Sequence, residues 1–495
     1  MAPFSLCLVS EMIGLLEHYE SIPSLARALR QGELRVEELV NSCLERIQSL
    51  EPRLGAFRVI CREAAVRQAR AAQESLAAGR DLGPLHGIPL AVKDLFDVAG
   101  MVTSAGSRLL EGNLARRHAG VVRRCLQAGM VLVGKTNTVQ FAYGGVGINR
   151  DHGTPRNPWC TEHYVPGGSS SGSAVAVASG MVPAALGTDT GGSVRIPAAL
   201  CGITALKTTV GRVSRAGVYP LSWTLDSVGP LARNVEDVAI LYEMMAGPDP
   251  EDQSTWRQPP VKLRPGSEPN LKGVRLFFPR AEFWEDLDPE LEKAVTQCGE
   301  VLRSLGANLD EMEFPEAREA CQIAKKGLII ASEAYCANRH WVEEHFQELD
   351  PVVAFRIVKG KEIPAHEYIR TLREVGELRL RALETLQHAD ALLVPTTRIP
   401  ALPVRDLEGS IEAYASANWG YLRNTSIGNV LDLCGLSVPC GFTSMGLPMG
   451  LMIYGKPFEE EMILRIGMAF QKVTQWHRMR PRCCAAHLQG KGSEA

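Results

Sequence analysis

Apolar positions along the chain fall into two textures. Near the start, Leu39, Val40, Cys43, Leu44, Ile47 and Leu50 recur at the three-and-four spacing that lines one face of a helix. From about residue 85 that stripe gives way to short apolar runs bounded by glycine and polar residues. IPLAV at 88–92 and VLVG at 131–134 have the pattern of buried strands. A helix is predicted at 235–246, with Asn234 as its N-cap, Asp237 at the third position, Val238, Leu241, Tyr242 and Met245 on one face, and Gly247 beyond its end. Another begins at Asp288 with Pro289 in its first turn, turns Leu291, Val295, Cys298, Val301, Leu302 and Leu305 inward, and stops at Gly306. Further strand-like runs follow at VRLFFP (274–279), ALLVP (391–395) and GLMIYG (450–455).

Strands alternating with helices predict an α/β fold, a mixed or mainly parallel central sheet with helices on both faces. Residues 248–270 hold six prolines among polar neighbours and read as a long surface connection. Because strand-like runs continue beyond it, it is expected to lie inside one large domain. The expected organisation is an N-terminal helical layer over 1–80, a main body over 81–480 with its core at 85–245, and a flexible tail over 481–495. No internal repeat is visible.

At 495 residues the chain can bury a large core without disulfides or a structural metal. Its 53 basic and 56 acidic residues leave a net charge of -3, so no global positive field draws it to nucleic acid or an anionic membrane. The 13 cysteines are odd in number and scattered, which fits reduced thiols in the cytoplasm. Cys483 and Cys484 lack zinc-ligand spacing, and neither CxxC nor HExxH occurs. The run FSLCLV near the N-terminus meets Glu11 before it could form a signal core or an anchoring helix. A soluble cytoplasmic protein without metal or cofactor is the expectation.

The chemistry is concentrated in two Gly/Ser tracts, VPGGSSSGSAVAVASG at 165–180 and LGTDTGGSVRIPAALCG at 186–202. Flexible linkers sit in polar surroundings. These tracts instead run into small apolar segments, AVAVA and IPAAL, that should be buried. A buried glycine-rich loop offers backbone N–H groups to one concavity, where an anion or a developing oxyanion can bind. The tracts match neither the phosphate-loop nor the dinucleotide fingerprint. Gly168–Gly172 does fit the nucleophile-elbow pattern G-x-S-x-G around Ser170, but an elbow follows a buried strand and EHYVPG is polar. Lys93 ends the apolar run IPLAVK, where partial burial would lower its pKa, although a strand-end lysine often just reaches back to water.

With these tracts, GKTN (134–137), RNPW (156–159), LDSVGPLAR (225–233) and GLPMGL (446–451), nearly the whole chain resembles the amidase signature enzymes. The resemblance implies a Ser-cisSer-Lys triad: Ser193 the nucleophile, Ser169 the bridging serine after a cis peptide bond, and Lys93 the base. It implies an oxyanion hole from the N–H groups of Thr190, Gly191, Gly192 and Ser193, with Ser170, Asp189 and Arg195 bracing the triad. Tyr143, Gly144 and Gly145 in FAYGGVG are the implied substrate contacts.

The expected reaction is hydrolysis of a small-molecule amide through a Ser193 acyl-enzyme, with apolar or aryl preference and aryl-carbamate or ester cleavage as a side activity. Trp419 and Tyr421 are candidates for an apolar pocket, with core packing as their more ordinary role. A homodimer is compatible with this reading. The alternative within the family is the glutaminase subunit of a tRNA-dependent amidotransferase. Against it, Gln140 stands where that protein has an acidic residue, and Ile196 where it has a glutamine. A binding protein without catalysis is the remaining class, and a filled triad argues against it.

Overall fold

In the computed structural model, residues 21–261, 270–280 and 282–481 are described. Among them, one mixed sheet of 11 strands runs through the molecule. In chain order these are β1 (Phe57–Ile60), β2 (Pro89–Lys93), β3 (Val131–Thr136), β4 (Ala184–Asp189), β5 (Thr204–Lys207), β6 (Ser227–Ala232), β7 (Arg275–Pro279), β8 (Asn308–Met312), β9 (Ala391–Pro395), β10 (Cys434–Phe442) and β11 (Pro448–Gly455). Across the sheet the order is β1-β3-β2-β4-β6-β5-β10-β11-β9-β7-β8. Strand β2 pairs in parallel with β3 and β4, and β7 with β8 and β9. The centre, from β4 through β6, β5, β10 and β11 to β9, is antiparallel throughout.

The α/β expectation and its mixed, helix-flanked sheet hold. The runs at 88–92, 131–134, 274–279, 391–395 and 450–455 fall in β2, β3, β7, β9 and β11. Strand β7 follows the proline-rich connection yet joins the same sheet, so the connection does not separate two sheets. The predicted caps form: the Asn234 side chain accepts from Asp237 N–H at 2.8 Å, and Asp288 from Glu290 N–H at 2.9 Å. Helix Val36–Leu54 buries the whole stripe from Leu39 to Leu50.

The N-terminal segment is not helical throughout, because β1 pairs with β3 at the sheet edge. Its four residues FRVI are too few and too unevenly buried to show a period-two signal. The tail over 482–495, Cys483, Cys484 and the FSLCLV run lie outside the described residues. The ten described cysteines are all free, and no described helix is long and apolar enough to cross a membrane.

Both Gly/Ser tracts lead into short helices, Ser171–Ala178 and Arg195–Cys201, in which every residue is buried. A helix surrounded by protein needs no polar face, so it carries no amphipathic stripe. Burial of these segments is legible in their composition, and their helical form is not.

Candidate active site

The site forms at the carboxyl ends of β2 and β4, which are parallel neighbours in register from Leu90↔Ala184 to Val92↔Leu186. That end of an open parallel sheet is where the following loops leave a crevice. Lys93 is the last residue of β2, and the loop TGGS, expected to carry the nucleophile, leaves the end of β4, so pairing of the two strands alone brings Lys93 to Thr188. The first Gly/Ser tract arrives from a loop, with no strand directly before it, so it is no nucleophile elbow. The Gly168–Ser169 peptide bond is cis.

Lys93 is fully buried, and its Nζ donates to Ser169 Oγ at 2.7 Å and to Thr188 Oγ1 at 2.8 Å. Burial pushes its pKa down to about 7, against the pull of the Asp226 and Asp189 carboxylates. Neither acceptor carries a charge, so neutral amine is accessible near neutrality. The two tracts are tied together where Ser170 N–H donates to Ser193 C=O at 3.1 Å, and Ser170 Oγ donates to Thr188 C=O at 3.3 Å.

Beneath the nucleophile loop lies a buried ion pair. Arg195 donates to Asp189 through Nε at 3.0 Å and Nη2 at 2.9 Å, and Asn429 Nδ2 donates to the same carboxylate at 2.9 Å. Burial alone would raise the Asp189 carboxyl, but the Arg195 guanidinium and these hydrogen bonds hold it well below the usual carboxylate range. Arg195 also donates to Tyr454 Oη at 2.7 Å, Asn429 Oδ1 at 2.6 Å and Thr425 C=O at 3.1 Å. Asp189 further takes N–H bonds from Gly192 at 2.8 Å and Val194 at 3.1 Å, which curls the loop around the carboxylate.

This wiring alters the predicted anion hole. The Gly192 N–H is committed to Asp189 and does not face a substrate. The Thr190, Gly191 and Ser193 N–H groups make no hydrogen bond within the described protein, and all three residues line the cavity in front of the loop. Gly192 has a different duty. Its φ is +135°, and a Cβ there would sit 2.2 Å from Thr425 Oγ1, the hydroxyl that donates to Gly191 C=O at 2.6 Å.

Ser193 is 4% exposed and opens onto that cavity, whose volume is about 640 Å³. Apolar side chains from distant parts of the chain wall it, among them Leu221, Leu225, Ile329, Trp419 and Leu422. Tyr143 and Gly144 line it. Gly145 does not; its N–H donates to Asn418 Oδ1 at 2.8 Å, so it fixes a wall residue. The Arg356 guanidinium stacks 3.9 Å from the Tyr143 ring centre and donates to Tyr143 C=O at 2.8 Å. Trp419 is a wall residue, whereas Tyr421 is fully buried core with its hydroxyl on Pro400 C=O at 3.1 Å.

Gln140 and Ile196 are both buried off the cavity. Gln140 bridges Ser107, Asp151 and the Asp350 N–H, and Ile196 packs against Gly145 and Gly192. Gln140 therefore acts through hydrogen bonds and Ile196 through packing, and neither lines the cavity. Among the described residues, one set of metal-ligating side chains converges, the surface trio His340, Glu344 and His345, away from the cavity.

Several site residues have little or no sequence signal. Thr188 and Asp226 lie inside the quoted motifs, yet nothing in those motifs singles them out. Asp226 accepts from Thr190 Oγ1 at 2.5 Å and from the Leu221 and Ser222 N–H groups at 3.0 Å, so it joins the nucleophile loop to the cavity wall. Thr425, Asn429 and Tyr454 come from more than 200 residues away and carry no local pattern.

An amidase family model matches residues 38–464. The chain is 38% identical to a subunit of the glutamyl-tRNA(Gln) amidotransferase of Chloroflexus aggregans, over 94% of this chain and 98% of the relative. It is equally 38% identical to an amidase of Pseudomonas putida, again over 94% and 98%. The peptide amidase of Stenotrophomonas maltophilia superimposes with a TM-score of 0.80 at 29% identity, covering 92% of this chain and 97% of that one. The motifs, the sheet and these likenesses agree: the chain belongs to the amidase family, as a hydrolase of carbon–nitrogen bonds.

Proposed function

We propose that the chain is a stand-alone amidase in which Ser193 attacks the amide carbonyl, Ser169 relays the proton and Lys93 receives it. The observation that carries this reading is the 2.7 Å hydrogen bond from the buried Lys93 amine to Ser169 Oγ, behind a cavity onto which Ser193 opens. Neutral Lys93 accepts the Ser169 proton as Ser169 Oγ takes the proton of Ser193. The Ser193 Oγ–carbonyl bond forms, and the negative charge moves to the carbonyl oxygen. The free N–H groups of Thr190, Gly191 and Ser193 are the donors for it, and losing one such donor costs about 3 kcal/mol of barrier. The relay then runs backwards, the departing nitrogen takes the proton, and the C–N bond breaks to leave an acyl-enzyme. Water cleaves the ester by the same sequence. Apolar cavity walls favour substrates with an aliphatic or aryl body.

The test is intact-protein mass spectrometry after a serine-directed acylator, with peptide mapping, beside turnover of anilides, aliphatic amides, aryl carbamates and glutamine. One adduct on Ser193 with turnover of an anilide is the expected result, and an adduct elsewhere overturns the assignment. The likeness to amidotransferase subunits favours a second reading, a glutaminase within a complex. It predicts that the lone chain is silent and that glutamine hydrolysis appears only with partner subunits. The cavity of about 640 Å³ has long apolar walls that an aliphatic or aryl body would cover and a glutamine side chain would not, and this supports the stand-alone reading.

A further inference from the structure

The charges around the cavity are one-sided. Four cationic residues line it, Lys325, Lys326, Arg356 and Lys359, and no aspartate or glutamate does. The chain as a whole carries slightly more acid than base, so this wall departs from the average surface. The cations come from separate elements: Lys325 and Lys326 end the helix Glu316–Lys326, Arg356 lies in the helix Pro351–Val358, and Lys359 begins the turn after it.

Among the described residues the three lysines have no carboxylate partner, although acids stand close by in sequence. Several of those acids are engaged elsewhere. Glu343 pairs with Lys361 and Arg339, Asp350 with Arg150, and Glu333 accepts from Ser222, Thr224 and Tyr368. The last turn of a helix favours cations because of its dipole, which accounts for Lys325 and Lys326 on structural grounds. Lys359 likewise caps the C-terminus of the helix Pro351–Val358, with its amine 4.5 Å from the Phe355 ring centre, so helix ends account for each cation singly; they do not account for a wall free of acids.

The geometry points to an anionic amide as the substrate class: a molecule with its amide at Ser193, an apolar body along Leu225, Ile329 and Trp419, and a carboxylate at the far end against Lys325, Lys326 and Lys359. This inference rests on the Ser193 reading and adds a charge requirement to it. The lysines are exposed, so each contact is weak, and the group acts through its sum. Two or three exposed charge contacts together amount to about tenfold in affinity, weakening with salt as the screening length shortens.

The experiment compares ω-carboxyalkyl p-nitroanilides of increasing chain length with their methyl esters, following p-nitroaniline release. The expected result is a kcat/KM ratio of about ten in favour of the carboxylate at one chain length, falling several-fold between about 20 mM and about 500 mM salt. Lys326→Gln with Lys359→Gln should bring the ratio close to one, and Lys326→Glu with Lys359→Glu should invert it. Lys361→Gln, which changes a lysine paired with Glu343 and off the cavity, should leave the ratio unaltered. Equal rates for acid and ester at every length, or a preference that survives both charge reversals, would overturn the inference. Calorimetric binding of the same pairs to Ser193→Ala protein reads the ratio without turnover. Charge preference in binding without hydrolysis by the native chain would count against the Ser193 reading alone. Hydrolysis without charge preference would count against the anionic substrate alone.

Discussion

Behind Ser193 and in front of it, the molecule is built from different materials. Behind it, Asp189, Arg195, Asn429 and Tyr454 form a closed hydrogen-bonded set in which every carboxylate oxygen and guanidinium arm has a partner. In front, the wall from Leu221 to Trp419 is mostly apolar side chains on helices and loops, with cations toward the exposed residues. A shift of about 1 Å in the first region breaks hydrogen bonds to a buried charge, whereas in the second it changes a contact area. On the proposed mechanism the chemistry resides where geometry is over-determined, and substrate choice where side chains can be exchanged cheaply.

The comparison predicts a gradient of effects. Ser193→Ala should have the largest, a loss of activity on the order of 10⁴-fold or more with the fold intact, read from initial rates and from absence of an acyl adduct. Asp189→Asn should come next, because it leaves the buried Arg195 charge without its counter-ion. The expected loss is about 3–5 kcal/mol of stability, read as a shift in the urea midpoint, with activity falling alongside.

Lys93 gives a test of intermediate size. The proposed relay needs its neutral form, so kcat/KM should climb about tenfold per pH unit below about 7 and level off above it. Stability has a sign of its own. The folded pKa lies near 7 and the ordinary value is 10.5, so between them the unfolded chain holds the extra proton and stability rises with pH across that window. The cost of burying Lys93 is therefore full below about 7. Lys93→Met should be inactive yet melt at or above the native Tm at pH 7, and a lower Tm would show that the amine supports the fold. The smallest effect belongs to the wall: Trp419→Ala should raise KM for aryl amides about tenfold with little change in kcat.

Most of the proposed catalytic region is legible because its residues lie in continuous motifs. Lys93 ends an apolar run, and both serines sit in glycine-rich tracts followed by segments that have to be buried. The details that the motifs misplace share one physical cause. Gly192 is expected to donate to an oxyanion, but its N–H goes to Asp189, a choice made by how the loop curls. Gly145 is expected at the substrate, but it holds Asn418. A motif gives residue types and their order; it does not say which way an N–H or side chain points.

By itself the sequence determined the strand and helix alternation, the capped helices at Asn234 and Asp288, and the choice of Lys93, Ser169 and Ser193 as the proposed trio. These depend on local periodicity, local capping and motifs a few residues long, all of which are written along the chain. Tertiary structure alone decided that β2 and β4 are neighbours, that Asn429 and Tyr454 close the network around Arg195, and that four cations and no acid face one cavity. Each of these joins residues far apart in sequence, and only the packing of the sheet and its helices fixes which of them meet.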